Sequence, residues 1–553
     1  MKKKKILQLI RYLSFLLVIP FLAHAQGIEI PSGASMAATG AATIEVIDGN
    51  LVNNGTYTKG SETFTMSGTS GALISGSSLS DFNNLTVSNT GGVSIDVNTK
   101  VTVSGTLSNT VGAGGLILKS TSLGYGSLIH GSASVQGRVE RSIIGATWSE
   151  WNDGWHLLSS PVATQAVSGD WTPSGAGNDY DFYAWSESAL SDNWLNQKVA
   201  GNNINTFVTG HGYLVAYEQT DVKEFNGDLN YAAVTLNGLT HTSGNTYEGW
   251  HLAGNPFTSA LDWSTGSWTK TNLGAAAKIW VEADKSYKDV TTDYNNIIPA
   301  MNGIMVYVDE ATTGTLTIPA NARVHNLTNW LKSAPSGLIV LTARETEGNS
   351  AQETIIRADN NATNGFDLDL DSKFMAGFAP MLYSIADGNY LSFNTLPDLG
   401  PARNIDLGFV KNNATAYTIE LSKENLVPGI QLFLTDKLTG IVTDLIANPV
   451  YHFNAADGDN VNRFNLQFAP VGIVENAENS GPEIAACGKF VSVSVNQPAD
   501  LDIYICNLTG QMVRKSVFKG KTSAKIDLSG IPAGVYIVSV SDGKTLYSSK
   551  IVL

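Results

Sequence analysis

The sequence predicts an all-β chain of serial modules. In order these are an N-terminal β-solenoid-like segment, tandem β-units, a β-sandwich and a small C-terminal sandwich. Three observations carry this. Only 15% of residues are charged, and glycine supplies 54 of 553, a composition of short strands and frequent turns rather than of helical bundles. Apolar residues alternate with period two over short runs, as on half-buried strands. A length of 553 residues is that of several domains.

Residues 1–25 have the three parts of a secretory signal: Lys2, Lys3, Lys4 and Lys5, an apolar stretch from Phe15 to Leu22, and Ala23-His24-Ala25 as a small-x-small cleavage site. Cleavage between Ala25 and Gln26 is expected. The apolar run is shorter than the ~20 residues of a spanning helix, and no later stretch is long enough, so no transmembrane segment is expected. The leader carries five of the 34 basic residues and no acid. The chain after it therefore has 29 basic against 49 acidic residues, a net charge of −20. Without a run of Lys and Arg the main body lacks the counterion-releasing patch that a polyanion requires. Nucleic acid and an anionic membrane surface are excluded as its ligands.

Residues 26–140 form the solenoid-like region. Leu85-Thr86-Val87, Val93-Ser94-Ile95, Val101-Thr102-Val103 and Leu116-Ile117-Leu118 recur between Gly, Ser and Asn turns. Runs this short and closely spaced suit stacked coils, each burying its face on the next; a small antiparallel sandwich is the alternative. All eleven tryptophans then fall between Trp148 and Trp330, which sets off residues 141–335. Inside this block Gly154-Trp155-His156-Leu157 returns as Gly249-Trp250-His251-Leu252, and Trp185 and Trp280 follow 30 residues after Trp155 and Trp250. Gly212-Tyr213-Leu214-Val215 is echoed by Gly303-Ile304-Met305-Val306. These landmarks predict two homologous β-units, about 148–241 and 242–330, as two lobes of one sandwich or two packed sandwiches.

Residues 336–472 alternate as a β-sandwich. Residues 473–484 are a polar linker with Gly481-Pro482, too poor in apolar area to offset the entropy of ordering it. In residues 485–553, Val491, Val493 and Val495 share one face, as do Leu501, Ile503 and Ile505, and the chain closes on Lys550-Ile551-Val552-Leu553.

This last segment resembles the type A sorting domain of the Bacteroidetes type IX secretion system. The matching residues are Val491–Val495, Ile503-Tyr504, Asn507-Leu508-Thr509-Gly510, Ile526–Ser529, Ala533-Gly534-Val535-Tyr536-Ile537-Val538 and the closing Lys550-Ile551-Val552-Leu553. The resemblance implies an immunoglobulin-like, seven-stranded sandwich that directs cargo through the periplasm and across the outer membrane. The sorting signal would rest on Gly510, Gly534, Val535, Tyr536, Lys550, Ile551, Val552 and Leu553. It also implies partners: the secretion machinery, a sortase-like peptidase that removes the domain, and anionic lipopolysaccharide on which cargo is often anchored. The phrase Gly249–Phe257 with Ser259–Trp263, and the later Asp436-Lys437-Leu438-Thr439 and Arg463-Phe464, look like modules common in other cargo of this system. They imply no chemistry.

No zincin, Cys-x-x-Cys or Gly-x-Ser-x-Gly motif occurs, and neither a cofactor nor a metal ligand is assigned. His156 and His251 are weighed as paired strand positions rather than ligands. Asp367, Asp369 and Asp371, alternating with Phe366, Leu368 and Leu370, are expected on one face of one strand. Trp155, Trp250, Trp185 and Trp280 are expected in the core, and Trp171, Trp194 and Trp268 in exposed positions able to stack on glycans. Cys487 and Cys506 are the only cysteines, bridged or free. The expected function is that of a secreted or outer-surface, non-enzymatic adhesin or display protein. The alternative is a secreted carbohydrate-active enzyme or glycan-binding protein.

Overall fold

The computed structural model describes residues 23–145, 152–173, 181–310, 312–326, 337–400, 403–422, 430–470, 482–487, 489–507, 511–541 and 546–552. It is nearly all β, with 55% strand and 3% helix. No described helix is long and apolar enough to cross a membrane. The chain divides into two compact units, Met1–Pro470 and Val471–Leu553.

The first unit begins as a parallel solenoid with three ladders. One climbs from Thr43–Asn53 through Thr63–Ser67 and Asn84–Val87 to Leu107–Asn109. A second climbs from the other half of Thr43–Asn53 through Ala72–Ser75, Val93–Ile95 and Leu116–Leu118 to Gln136–Ile143. A third joins Leu79–Phe82, Lys100–Val103 and Ser127–His130. Each coil advances the chain by 20 residues at Thr43/Thr63 and 23 at Leu51/Ile74. Inward residues stack coil over coil: Phe64 and Phe82 lie 4.9 Å apart, and Tyr57 and Phe82 5.5 Å. Tight corners would strand buried backbone donors, and buried polar side chains satisfy them. The Glu62 carboxylate accepts N–H bonds from Gly60 (2.7 Å) and Asn83 (2.9 Å). Asn89 donates to the Ser67 and Ser70 carbonyls and accepts from the Gly91 N–H.

Residues 1–22 of the expected leader lie outside the described residues. The strand Ala23–Ile30 contains the expected cleavage point, with Ala23–Ala25 paired to Ile44–Val46 and, past a register shift, Gly27–Ile30 paired to Asn50–Asn53. At the other end Gln136–Ile143 runs across the boundary expected at residue 140. It closes the solenoid by pairing antiparallel with Asp221–Asp228 of the tryptophan-rich block.

Within that block two four-stranded antiparallel sheets have the same strand order. The first is His156–Leu158, Tyr213–Val215, Phe182–Trp185, Trp194–Asn196. The second is Trp250–Gly254, Gly303–Val308, Leu273–Val281, Ser286–Val290. Registers correspond as well: His156 faces Val215 and His251 faces Val306; Phe182 and Ala277 face the same two valines; Trp185 faces Trp194 and Trp280 faces Tyr287. The two units also meet reciprocally. Glu187 of the first accepts the N–H of Gly249 (2.9 Å), and Glu282 of the second accepts the N–H of Gly154 (2.6 Å). Leu158 bridges to Asn302 and Ala253 to His211. Gly212 and Gly303 permit this approach, since a Cβ at either would sit 2.7 Å from Leu252 or 2.9 Å from Leu157. The contact is that of an internal pseudo-two-fold pair.

Residues 337–470 form one large sheet curled over a main core, with a smaller cluster of Leu338, Val340, Ile355 and Phe393. Only the pair Ala351–Ala358 and Asn389–Leu396 runs parallel among its ladders. One edge strand, Val450–Asn454, packs back through aromatics on the interior strand Phe464–Pro470, with Phe453 and Phe464 4.9 Å apart. Asp436 and Arg463, both buried, form a bidentate pair at 3.0 and 2.8 Å that also holds the Tyr451 hydroxyl (2.9 Å). A second buried pair fastens the sandwich to the preceding unit: Lys278 Nζ lies 2.6 Å from Asp289, 3.0 Å from Ser372 Oγ and 2.6 Å from Ser392 Oγ.

The second unit has five described strands, Glu483–Cys487, Phe490–Asn507, Met512–Asp527, Val535–Ser541 and Leu546–Val552. The two long strands break register between Ser494 and Leu501. Among the described residues the unit thus has five strands where the resemblance implied seven, because the expected shorter strands run together into two long ones. Val491, Val493, Leu501, Ile503, Ile505, Ile526, Tyr536, Val538, Val540 and Ile551 make its core, the alternation seen in the sequence. Cys506 is a free, half-buried thiol, so the bridge to Cys487 is not formed. The ladders place Cys487 opposite Phe490 and Cys506 at the far end of the same strand.

Candidate functional site

Two regions combine surface access with chemistry: the C-terminal unit and a polar cleft in the first unit. In the C-terminal unit the motifs that are separate in sequence become neighbours. Val535 pairs with Val552, Tyr536 with Ile551 and Ile537 with Lys550. Tyr536 is buried and its hydroxyl donates to the Pro532 carbonyl at 2.9 Å, locking the turn that carries Gly534. Ile551 is buried and Lys550 exposed. Gly510 and Leu553, and residues 471–481 of the linker, lie outside the described residues.

Composition hid one feature of this unit. No contiguous basic run exists, yet Arg514, Lys515, Lys519, Lys521 and Lys525 all lie exposed on the strand Met512–Asp527. That strand pairs on one side only, with Phe490–Asn507. Cations on a free edge oppose unwanted strand pairing.

The cleft has a volume of about 790 Å³. It is assembled from five segments of three modules of the first unit: Asn152 of the first repeat, the hairpin turn at Lys285 of the second, and sandwich loops at 345–350, 377–381 and 411–416. Lys285 has φ 52°, a left-handed conformation rare outside glycine. That conformation is held because its carbonyl accepts the N–H groups of Phe378 (2.9 Å) and Ala379 (3.0 Å). Glu345 accepts hydrogen bonds from Ser350 Oγ and Asn412 Nδ2. Asn412 in turn accepts from the Tyr417 hydroxyl at 3.0 Å. Phe378 stands edge-on to Trp280 at 5.8 Å.

Other expected positions distribute differently. Trp171 is fully buried rather than exposed: its ring packs on Phe225 at 4.3 Å and its Nε1 donates to the Glu224 carbonyl at 2.8 Å. Trp194 and Trp268 are half-buried, against Trp185 and Trp263, each at 4.6 Å. Of the four expected pillars only Trp250 is fully buried; Trp155, Trp185 and Trp280 are half-exposed.

Asp367, Asp369 and Asp371 do not share a strand face. Residues 367–371 turn, because the Asp367 carboxylate bonds the Thr363 N–H (2.6 Å) and its carbonyl the N–H groups of Leu370 and Asp371. Such side-chain bonds to nearby backbone compete with strand formation. Asp371 is buried, which pushes its carboxyl up to about 6, and Asp369 is exposed.

His156 and His251 occupy equivalent positions and do equivalent work. Nε2 of each ring bonds a backbone carbonyl, that of Ile144 (3.1 Å) or Thr240 (2.7 Å). Burial holds both below the usual imidazole range, His156 down to about 4. Burial does the same to His130 and His325, also to about 4. These rings stay neutral in the fold, while the unfolded chain takes up protons near pH 6.5. Their contribution is therefore full above pH 6.5 and is lost as pH falls toward 4. The melting temperature is expected to decline over that window, and His130→Leu to make the decline shallower. Equal slopes in thermal melts at pH 7, 5.5 and 4 would contradict this assignment.

Residues 488–553 match the family described as the secretion system C-terminal sorting domain. Residues 339–468 match a domain of unknown function. Minor fimbrium subunit Mfa5 of Porphyromonas gingivalis is 25% identical over 435 residues, 71% of this chain and 34% of that protein. The chain thus spans about a third of the length of this curated relative. The BSP domain of a biofilm-associated protein aligns over 79% of this chain and 98% of its own, with 10% identity and a TM-score of 0.12; a score that low carries no argument.

Proposed function

We propose that this chain, a type IX secretion cargo protein by its C-terminal sorting domain, works outside the cell as a non-enzymatic adhesin or display protein. The observation that carries the reading is the sorting domain at residues 488–553 joined to a passenger similar to a fimbrium subunit. The passenger's own construction supports it. A solenoid, a repeat pair and a curled sheet make a display scaffold, and its buried and half-buried carboxylates are committed to architecture. Glu62 closes a solenoid corner, Glu187 and Glu282 hold the repeat seam, and Asp436 holds Arg463. Removal of the sorting domain by a sortase-like peptidase, with attachment to anionic lipopolysaccharide, would leave this scaffold on the surface.

The test is a cell-attachment assay with a deletion strain and its complemented parent, run beside a polysaccharide-degradation panel. Attachment is expected to fall on deletion with the degradation profile unchanged. Unchanged attachment, or loss of one degrading activity, would overturn the proposal.

A further inference from the structure

We infer that the cleft around Glu345, Lys285 and Phe378 is a binding site for a neutral oligosaccharide, an inference that rests on the surface-adhesin reading and names its ligand class. Size is the first argument. At about 790 Å³ the cleft falls within the range of roughly 300–1,000 Å³ typical of small-ligand sites, and it lies at a junction of modules, where such sites concentrate.

The lining is the second. Side-chain amides of Asn152, Asn349 and Asn413 line it, while Asn412 and the Ser350 hydroxyl are committed to holding Glu345 in place. Glu345 spends Oε1 on Ser350 and Asn412 and its Oε2 lies against Gly348, so the exposed carboxylate of Glu347 is the acceptor left for a ligand hydroxyl. Gly348 lies so close to Glu345 Oε2 that a Cβ there would overlap it, at 1.6 Å. Amides and a carboxylate offer paired donors and acceptors, the complement of vicinal hydroxyls. The half-buried Phe378 ring supplies the apolar face against which a sugar ring packs.

Charge is the third. Lys285 and Lys411 face Glu345 and Glu347 across the lining, with Lys411 further neutralised by Asp457 at 3.1 Å, so no excess of positive charge is presented. A balanced site favours neither a polyanion nor a polycation, so the ligand is an uncharged glycan rather than a uronate or an amine-rich chain. The walls are preorganised. The Lys285 carbonyl is pinned by two N–H bonds, and the Ala351 N–H ties the neighbouring Asp284 carbonyl at 2.9 Å. Little ordering cost is left for binding.

The experiment uses the full chain after its leader, titrated with neutral gluco-, manno- and galacto-oligosaccharides and, separately, with oligouronates. At least one neutral series is expected to bind, with little or no binding of uronates. Phe378→Ala is expected to weaken that binding at least tenfold. Because Phe378 also touches Trp280, a second variant, Asn349→Trp, fills the cleft from an exposed rim position and is expected to abolish binding with the melting temperature unchanged. Neutral-glycan binding undiminished in Asn349→Trp, binding confined to oligouronates, or no binding by the parent chain would each overturn the inference. If Asn349→Trp cells attach as the parent does while deletion cells do not, the cleft assignment fails and the adhesin reading stands.

Discussion

Cells that make the chain without residues 485–553 are expected to show none of it outside, with the passenger folded and retained within. The C-terminal unit builds its core from its own residues, Val491 to Ile551. The solenoid, repeats and sandwich close their cores on residues of the first unit. Removing the C-terminal unit therefore takes away an address and leaves these core clusters of the passenger complete. Fractionation followed by protease treatment of intact cells measures it: the parent chain is digested, and the truncated chain is protected until the envelope is opened. A truncated passenger digested on intact cells would separate export from the sorting domain.

Asp436→Ala is expected to produce the largest stability loss of any single substitution in the sandwich. Burial alone would raise the Asp436 carboxyl, but the bonds from Arg463 and Tyr451 and the Leu438 N–H hold it below the ordinary carboxylate range. The guanidinium sits over Phe453 at 4.8 Å and Phe464 at 5.2 Å. Without that carboxylate its remaining ion pair among the described residues is the longer contact to the partly exposed Asp459, at 3.3 Å, and its buried side is left unpaired against the aromatic core. Breaking a buried pair from one side costs about 3–5 kcal/mol, enough to lower the melting temperature by roughly 10 °C or more in a domain of this size. Replacing both partners, Asp436→Leu with Arg463→Met, is expected to restore most of it, since no charge is then stranded. A single variant that melts with the parent would refute the role given to the pair.

The comparison of sequence with structure has a physical pattern. Val491, Val493 and Val495, or Ile503 and Ile505, declare their faces locally, because a strand packed on one side needs only period two. The repeat was legible for the same reason: Gly154 and Gly249 stand 95 residues apart, and so do Glu187 and Glu282. That second equality is the sequence's sign of the reciprocal seam, a faint one because a glutamate has no obvious strand role. Trp171 was misread because its neighbours Gly169 and Asp170 look like surface, whereas Phe207, Tyr217 and Phe225, which bury it, lie far along the chain. At Asp367 the apolar alternation pointed to a strand, and the carboxylate's bonds to nearby backbone decided for a turn. The cleft left no local trace. Asn152, Lys285, Glu345, Phe378 and Asn412 come from five segments, and only tertiary packing brings them together.

The central claim is that a sorted, separable C-terminal unit delivers a binding scaffold to the cell exterior. Intact-mass measurement of the chain recovered from the cell surface tests it most directly. The account predicts a species beginning at Gln26 and ending between Ile473 and Lys489, the scaffold freed of its address. A surface species still ending at Leu553 would contradict removal of the domain, and a chain found only inside the envelope would contradict the claim itself.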